Sequence, residues 1–202
     1  MGCLGDALMS RKIAIIDGNP DCDGVRYDHA ITRAYAAAAE GAGHEISHIR
    51  LAEADFPLLR SKQDWEKGTP CPFIHDCQAM IGNADHLLIA YPLWLGCMPA
   101  LLKAFFEQAL RPGFAIAPGE RSLSPGLLHG KSARIIVTMG MPATVYRFYF
   151  RAHSLKSLER NILRFCGIGP IRRTLIGSVE AIGQEKRRAW LSHVAELGKI
   201  AA

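Results

Sequence analysis

The stretch His86-Leu-Leu-Ile-Ala-Tyr-Pro-Leu-Trp-Leu-Gly-Cys-Met-Pro-Ala-Leu-Leu-Lys103 decides the fold, because it joins a buried-strand pattern to an aromatic turn and a helix start. The run His86–Tyr91 is short and apolar, which predicts a strand covered on both faces. Pro92 and Gly96 end the strand, and Trp94 lies between them. Ligands of open parallel sheets bind at the carboxyl ends of strands, so this turn indicates a wall for a flat ligand. The alternative is a plain strand-to-helix turn in which the tryptophan only packs.

The rest of the chain extends this pattern into an alternation of strands and helices. Four further apolar runs predict strands, at Lys12–Asp17, Glu45–Leu51, Ala133–Met139 and Pro170–Ile176. Helical patterns lie between or after them, at Tyr27–Ala42, Pro99–Ala109, Ser154–Phe165 and Gln184–Ile200. The alternation predicts an α/β fold, a doubly wound five-stranded parallel sheet with helices on both faces. The connections Ala52–Pro72 and Pro112–Gly130 are unusually long, which is typical of functional or mobile loops.

Length and composition predict one domain. The chain has 202 residues, 49% of them hydrophobic, which suffices for a single domain over 12–202 after a loose tail at 1–11. No apolar run approaches the roughly 18 residues of a membrane span. The six cysteines show no metal-binding spacing and indicate reduced thiols in a cytoplasmic protein without a metal.

The charge of the chain permits an anionic ligand. The formal net charge is +5, but the basic residues are scattered apart from Arg172-Arg173 and Lys186-Arg187-Arg188. Such short runs are typical of solvated faces, so no nucleic-acid partner is expected.

The turn after the first predicted strand, Asp17-Gly-Asn-Pro-Asp-Cys-Asp-Gly-Val-Arg-Tyr27, is polar and leads directly into a helix. Backbone N–H groups at the helix start, close approach at Gly24 and the donor fork of Arg26 would suit a phosphate. The alternative is an ordinary turn with Asp23 as the helix cap. The pattern G-x-G-x-x-G is absent, which disfavours a dinucleotide-binding fold of that type.

The turn after the fourth predicted strand, Val137-Thr-Met-Gly-Met-Pro-Ala-Thr-Val-Tyr146, offers donors for the polar edge of a heterocycle. The Thr138 hydroxyl and exposed N–H groups near Gly140 would make those hydrogen bonds. The alternative is a glycine turn that binds nothing. Tyr146 and His153 would supply proton donors to the same crevice, one with a high pKa and one near neutrality, unless the histidine is structural.

With these loops, the chain resembles the flavodoxin-like NAD(P)H:quinone oxidoreductase family, which includes the modulator of drug activity B type and potassium-efflux ancillary reductases. The resemblance rests on Tyr91–Lys103, Phe105–Phe114, Thr138–Met141 and Phe165–Ile168, and it extends from about Lys12 to Gly177. It implies a bound flavin, FAD in preference to FMN, with NADPH or NADH as electron donor and a quinone-like acceptor. It also implies a homodimer without membrane insertion.

The resemblance implies which residues form the site. Residues 19–26 would hold the phosphate, residues 92–96 would lie along the isoalloxazine ring, and residues 138–141 would contact its polar edge. The implied cofactor-binding residues are Asn19, Asp23, Gly24, Val25, Arg26, Pro92, Leu93, Trp94, Leu95, Gly96, Thr138, Met139, Gly140 and Met141. Tyr146 and His153 match positions that assist hydride transfer in the mammalian quinone reductases, the histidine with a one-residue shift.

Three departures from the family pattern bear on the cofactor. Asn19 stands where a histidine is common, and Gly24-Val25-Arg26 replaces Ser-Phe-Asn in the phosphate loop. Met141 replaces the second glycine of Thr-Thr-Gly-Gly, which keeps the backbone donors only if its φ is negative.

We expect a flavin-dependent NAD(P)H oxidoreductase that reduces quinones by ping-pong hydride transfer. One alternative is an azo- or nitroreductase of the same fold. Another is a non-catalytic flavin-binding protein, either an electron carrier or a regulatory subunit of a membrane transporter. Electron carriers of this fold are ordinarily acidic and lack the loop 112–130, whereas this chain is basic and has it.

Overall fold

Five parallel strands form the centre of the computed structural model, which describes residues 9–118 and 126–202. The strands are β1 (Lys12–Asp17), β2 (Glu45–Arg50), β3 (His86–Pro92), β4 (Ser132–Thr138) and β5 (Ile171–Ile176). Their order in the sheet is β2-β1-β3-β4-β5, so the chain reverses its direction of winding between β1 and β3. The predicted doubly wound sheet is confirmed, and each predicted strand boundary lies within one residue of the observed one.

Helices cover both faces of the sheet. They are α1 (Tyr27–Gly41), α2 (Lys62–Lys67), α3 (Pro72–Asn83), α4 (Ala100–Ala109), α5 (His153–Ser157) and α6 (Gln184–Lys199). Alternate residues of β1 point to opposite faces, as the period of a strand requires. Ile13 and Ile15 pack with α1 and α6, whereas Ala14 and Ile16 pack with α3, α4 and α5. Two buried cores therefore sandwich the sheet.

The connection Ala52–Pro72, predicted as a loop, contains regular structure. The helix α2 lies within it, and the Ser61 hydroxyl caps that helix by accepting from Asp64 N at 3.0 Å. The whole of α3 was also missing from the sequence prediction. Its buried residues Ile74, Cys77, Gln78 and Ile81 follow helical spacing, but they come directly after a proline-rich polar stretch that obscures the pattern.

The remaining boundaries differ in smaller ways. The predicted helix Ser154–Phe165 begins one residue earlier, and its second half, Leu158–Leu163, is π-helical. Most of the predicted tail 1–11 and the middle of the predicted loop 112–130 lie outside the described residues. Five cysteines are free thiols in the described ranges, and Cys3 lies outside them. No helix of residues 9–118 or 126–202 is long and apolar enough to cross a membrane.

A glycine sets the contact between α1 and α6. A Cβ atom on Gly198 would lie 2.4 Å from the carbonyl oxygen of Tyr35, so only glycine lets the two backbones approach. Alanine is normally about 1 kcal/mol better than glycine inside a helix. We expect Gly198→Ala to reverse that sign and lower the free energy of unfolding by about 1–3 kcal/mol, measured by urea denaturation.

Gly41→Ala is the matched control, because Gly41 is the last residue of α1 and a Cβ there would meet nothing within 4 Å. This variant should be neutral or gain up to about 1 kcal/mol. Stabilisation by both substitutions would contradict the close-packing argument.

Candidate functional site

A crevice opens at the carboxyl edge of the sheet between the parallel strands β1 and β3. After these two strands the chain continues to helices on opposite faces of the sheet. The volume of the crevice is about 520 Å³, and the loops after β1, β3, β4 and β5 surround it. Small-molecule sites of this fold lie at such a switch point. A larger cavity of about 970 Å³ lies at the opposite, amino edge of the sheet, but none of the predicted site residues line it.

The turn after β3 forms one wall of the crevice. Trp94 N donates to Cys97 O and Cys97 N donates to Trp94 O, both at 2.9 Å. Between them Leu95 has φ 48° and Gly96 has φ 76°, which is the arrangement of a type I′ turn. A leucine in the left-handed region costs on the order of 1 kcal/mol, and such strain is typical of ligand sites. Trp94 is 50% exposed and Leu95 fully exposed, so the turn presents apolar surface to solvent.

The turn after β4 forms the adjacent polar wall. Thr138 O accepts from Leu93 N at 2.8 Å, which fixes this turn against the β3 turn. Within the described ranges, the N–H groups of Gly140 and Met141 have no hydrogen-bond acceptor. Met141 is not among the residues with positive φ, so the condition set by its replacement of a glycine is met. Of these two free donors, Gly140 lines the same crevice as Trp94.

Asp28 lies buried in the first turn of α1 and connects two walls of the crevice. Its Oδ1 accepts from the Thr138 hydroxyl at 2.7 Å, and its Oδ2 accepts from Asn19 Nδ2 at 3.1 Å. Burial raises the pKa of Asp28, and the hydrogen bond from Thr138 opposes that rise. The Thr138 proton is thus committed to Asp28, and only the lone pairs of this hydroxyl remain for the heterocycle predicted from the sequence.

The loop after β1 is held by its own carboxylates. Asn19 Oδ1 accepts from Asp21 N at 3.0 Å, Asp21 Oδ1 from Asp23 N at 2.9 Å, and Asp23 Oδ1 from Val25 N at 3.3 Å. These Asx turns occupy the backbone donors of residues 23 and 25, which were predicted to bind phosphate. The second oxygen of Asp21 accepts from Arg26 Nε at 2.7 Å.

The start of α1 remains open to an anion. Arg26, not Asp23, is the N-cap residue, and no side chain caps the helix. The prediction that Asp23 caps the helix is therefore wrong, whereas phosphate binding at this turn stays a prediction. Gly18, one residue after β1, donates from N to Ala90 O at 2.7 Å, and its missing Cβ would lie 2.7 Å from a methyl group of Leu102. The hydrogen bond to Ala90 and the close approach to Leu102 fix the point at which the chain leaves β1 and turns away from β3.

The far end of the crevice contains residues that sequence reasoning missed. Arg187 Nη2 donates to Val179 O at 2.7 Å, and the guanidinium lies 5.8 Å from the centre of the Tyr27 ring. The Tyr27 hydroxyl donates to Arg187 O at 3.0 Å, and burial raises the pKa of this tyrosine. The run 186–188 was predicted to be a solvated face, but Arg187 is half-buried at the crevice.

The structure brings together nine of the predicted cofactor residues. Those lining the crevice are Asn19, Val25, Arg26, Pro92, Leu93, Trp94, Thr138, Met139 and Gly140. Those near it in the chain but not lining it are Asp23, Gly24, Leu95, Gly96 and Met141. The lining residues that were not predicted are Asp21, Tyr27, Asp28, Val179, Glu180 and Arg187. Whether any of these contacts a cofactor stays a prediction.

Tyr146 and His153 do not line this crevice. Tyr146 is buried, with its phenol oxygen 2.7 Å from Ser154 Oγ and accepting from Leu155 N at 3.2 Å. His153 is exposed at the start of α5. The predicted catalytic role of the pair remains untested, and in this structure both side chains lie apart from the crevice.

Comparison with known proteins agrees with this architecture. A Haemophilus influenzae protein named an uncharacterized NAD(P)H oxidoreductase is 26% identical over 174 residues, covering 84% of this chain and 86% of that protein. Human ribosyldihydronicotinamide dehydrogenase [quinone] is 30% identical over 139 residues, covering 62% of this chain and 58% of that enzyme. This chain thus aligns with little more than half of the human enzyme.

A solved structure, Smu.1420 from Streptococcus mutans UA159, matches with a TM-score of 0.78 at 26% identity, covering 93% of this chain and 98% of that one. The model of a family described as having the flavodoxin-like fold matches residues 11–199. The chain therefore belongs to this flavodoxin-like family, as the resemblance of its strand-end loops predicted.

Proposed function

We propose that the protein is a flavin-dependent NAD(P)H oxidoreductase that delivers hydride to quinone-type acceptors. One observation carries this proposal: the exposed apolar turn around Trp94 lines the same crevice as Gly140, whose N–H group has no acceptor in the described ranges. A flat heterocycle with one polar edge complements that combination. The names of the Haemophilus and human relatives support the same activity class.

The residues present fit a flavin ring. Leu93 and Trp94 supply apolar surface that excludes water from one side of the crevice, and the turn that carries them is fixed by paired backbone hydrogen bonds. Bound flavin would supply the hydride chemistry, accepting from the nicotinamide and giving to the quinone. The N–H group of Gly140 is a preorganised donor for negative charge that would develop on the ring edge. Because one open crevice serves both substrates, we infer that they bind in turn.

We call the part of the crevice at the loop after β1 the phosphate end and the part at the turn after β3 the ring end. The phosphate end is less suited to its ligand group than the ring end is. Arg26 and the uncapped start of α1 favour an anion, whereas the carboxylates of Asp21 and Asp23 oppose one. Beyond this loop the crevice continues to Tyr27, Val179 and Arg187. That extension offers an aromatic ring and a guanidinium to the second half of a dinucleotide, so we propose FAD ahead of FMN.

A homodimer is the assembly that we propose. The segment Val145–Tyr149 and its neighbour expose three aromatic side chains in sequence, with Phe148 70%, Tyr149 79% and Phe150 45% exposed. Exposed apolar clusters of this kind are typical of interfaces. In such a dimer, the exposed His153 would reach the partner's crevice, whereas the buried Tyr146 hydroxyl would act in hydride transfer only through Ser154, with which it is hydrogen-bonded. The free thiols support a reducing, cytoplasmic setting.

The first test is cofactor binding followed by turnover. We expect FAD, or FMN, to show saturable fluorescence quenching with one site per chain, and the loaded protein to oxidise NADH or NADPH with a quinone. Absence of saturable quenching by either flavin would remove the proposed function. Flavin binding without turnover on quinone, azo or nitro acceptors would favour a carrier or regulatory subunit.

Trp94→Ala tests the ring wall. The substitution removes exposed aromatic surface and leaves the core intact, so we expect flavin binding to weaken by about 1–3 kcal/mol without loss of the fold. Trp65→Ala is the matched control, because Trp65 lies on α2, which has no buried residues. Equal effects of the two variants on the dissociation constant would contradict the assignment.

Tyr146→Phe and His153→Gln test the proposed catalytic pair. We expect each to slow one half-reaction by roughly tenfold, a loss of about 1.4 kcal/mol, in stopped-flow measurements. Tyr146→Phe should also lower stability by about 1 kcal/mol, because Leu155 N loses its acceptor. Tyr149→Phe, at an exposed hydroxyl in the same segment, is the control. If both variants are reduced and reoxidised like the parent, the assignment fails.

A further inference from the structure

His29, in the first turn of α1, lies behind the loop after β1 and contacts hydrogen-bond acceptors through both ring nitrogens. Nδ1 is 2.7 Å from Asp17 Oδ2, and Nε2 is 2.8 Å from the carbonyl oxygen of Asp21. A carbonyl oxygen can only accept, so Nε2 carries a proton. Asp17 Oδ2 already accepts from the Thr32 hydroxyl at 2.8 Å, and Oδ1 accepts from Asn19 N. An ionised Asp17 is thus an acceptor as well, and against it the ring would be a doubly protonated imidazolium.

The surroundings favour this charge. Burial lowers the pKa of His29, but the hydrogen bonds to Asp17 and to the Asp21 carbonyl, together with the charges of Asp17 and Asp28, outweigh burial and leave the pKa raised. Other groups face the ring across a cavity of about 250 Å³. The titratable or charged ones are Cys22 from the loop, Arg33 from α1, His48 and Arg50 from β2, and Glu53 from the turn after β2. Burial lowers the pKa of His48, so that ring adds no charge near neutral pH.

His29 also determines the position of the loop. Its contact with the Asp21 carbonyl holds the middle of the loop onto α1, and Asp21 in turn holds Arg26. An anion that approaches this loop meets the carboxylates of Asp21 and Asp23. A positive charge directly behind the loop offsets part of that repulsion, and the low dielectric of a buried site strengthens the effect.

We propose that His29 is a positioning residue whose imidazolium holds residues 18–26 in the shape that receives the cofactor phosphate, so that loss of its proton loosens the loop and weakens binding. The ligand in this proposal rests on the proposed function, whereas the charge and its control of the loop do not. Because the pKa of His29 is raised in the folded state, the direction of the pH dependence follows. The stabilisation is complete below the ordinary histidine value of about 6.5 and is lost as the pH rises through the higher folded-state value.

Nitrogen NMR of the full chain tests the charge without any cofactor. We expect both ring nitrogens of His29 to be protonated at about pH 7 and to lose a proton only above the ordinary histidine value of about 6.5, with His29→Gln supplying the assignment. The amide of Gly24 should shift with the same midpoint. A neutral His29 ring at about pH 7, or a loop amide that ignores the His29 titration, would overturn the proposal.

FAD titration between about pH 6 and pH 9 tests the consequence. FAD is the probe because the charge of its pyrophosphate is constant over this range, unlike the phosphate of FMN. We expect the affinity of the parent to fall about tenfold with rising pH, and that of His29→Gln to be weak and nearly independent of pH. His193→Gln is the control and should behave like the parent.

Asp17→Asn provides a second variant should His29→Gln fold poorly, because it removes the acceptor that retains the proton. Its fall in FAD affinity should move to lower pH. A His29→Gln variant with the slope of the parent, or an Asp17→Asn variant with an unmoved midpoint, would refute the proposal. If the parent binds neither FAD nor FMN at any pH, the proposed function fails, and the NMR titration still decides the state of His29.

Discussion

The crevice depends on the buried carboxyl group of Asp28. This side chain receives hydrogen bonds from Asn19 in the loop after β1 and from Thr138 at the end of β4. Both of those strands pair with β3, so the two hydrogen bonds join loops on opposite sides of it. The adjacent start of α1 favours negative charge at this position, which offsets part of the cost of burial. Without the Asp28 carboxyl group, the loops after β1 and β4 would each contact only their own neighbours.

The centre of the sheet could be predicted from the sequence because β1, β3 and β4 are short, largely apolar runs, and buried parallel strands have that signature. The wall at Trp94 could also be predicted, since Pro92 and Gly96 mark the end of β3. Asp28 and Arg187 could not. The partners Asp28 and Thr138 are 110 positions apart, and Tyr27 and Arg187 are 160 positions apart. Neither pairing leaves a periodicity or a spacing in the chain, because only the fold brings the partners together.

Asn19, which stands where the sequence resemblance would place a histidine, makes two hydrogen bonds through its side chain. The amide donates from Nδ2 to Asp28 and accepts at Oδ1 from Asp21 N, so one side chain satisfies a donor and an acceptor at the same time. Asparagine therefore keeps the loop attached to α1 without adding a positive charge. The imidazolium of His29 lies ten residues further along, behind the same loop. Positive charge near this loop thus comes from His29 behind it, from Arg26, and from Arg33, whose Nη2 donates to Gly24 O at 3.0 Å.

The two ends of the crevice differ in how they would contribute to binding. At the ring end, apolar surface is exposed and backbone donors are free, so burial of the surface and formation of those hydrogen bonds both favour a ligand. At the phosphate end, most loop donors already have partners and carboxylates accompany the arginine, so an anion gains only the difference between opposing charges. The strained conformation of Leu95 at the ring end is consistent with this division. The ring end would therefore dominate the affinity for the proposed flavin, whereas the charge state of the loop, including the proton proposed on His29, would adjust it.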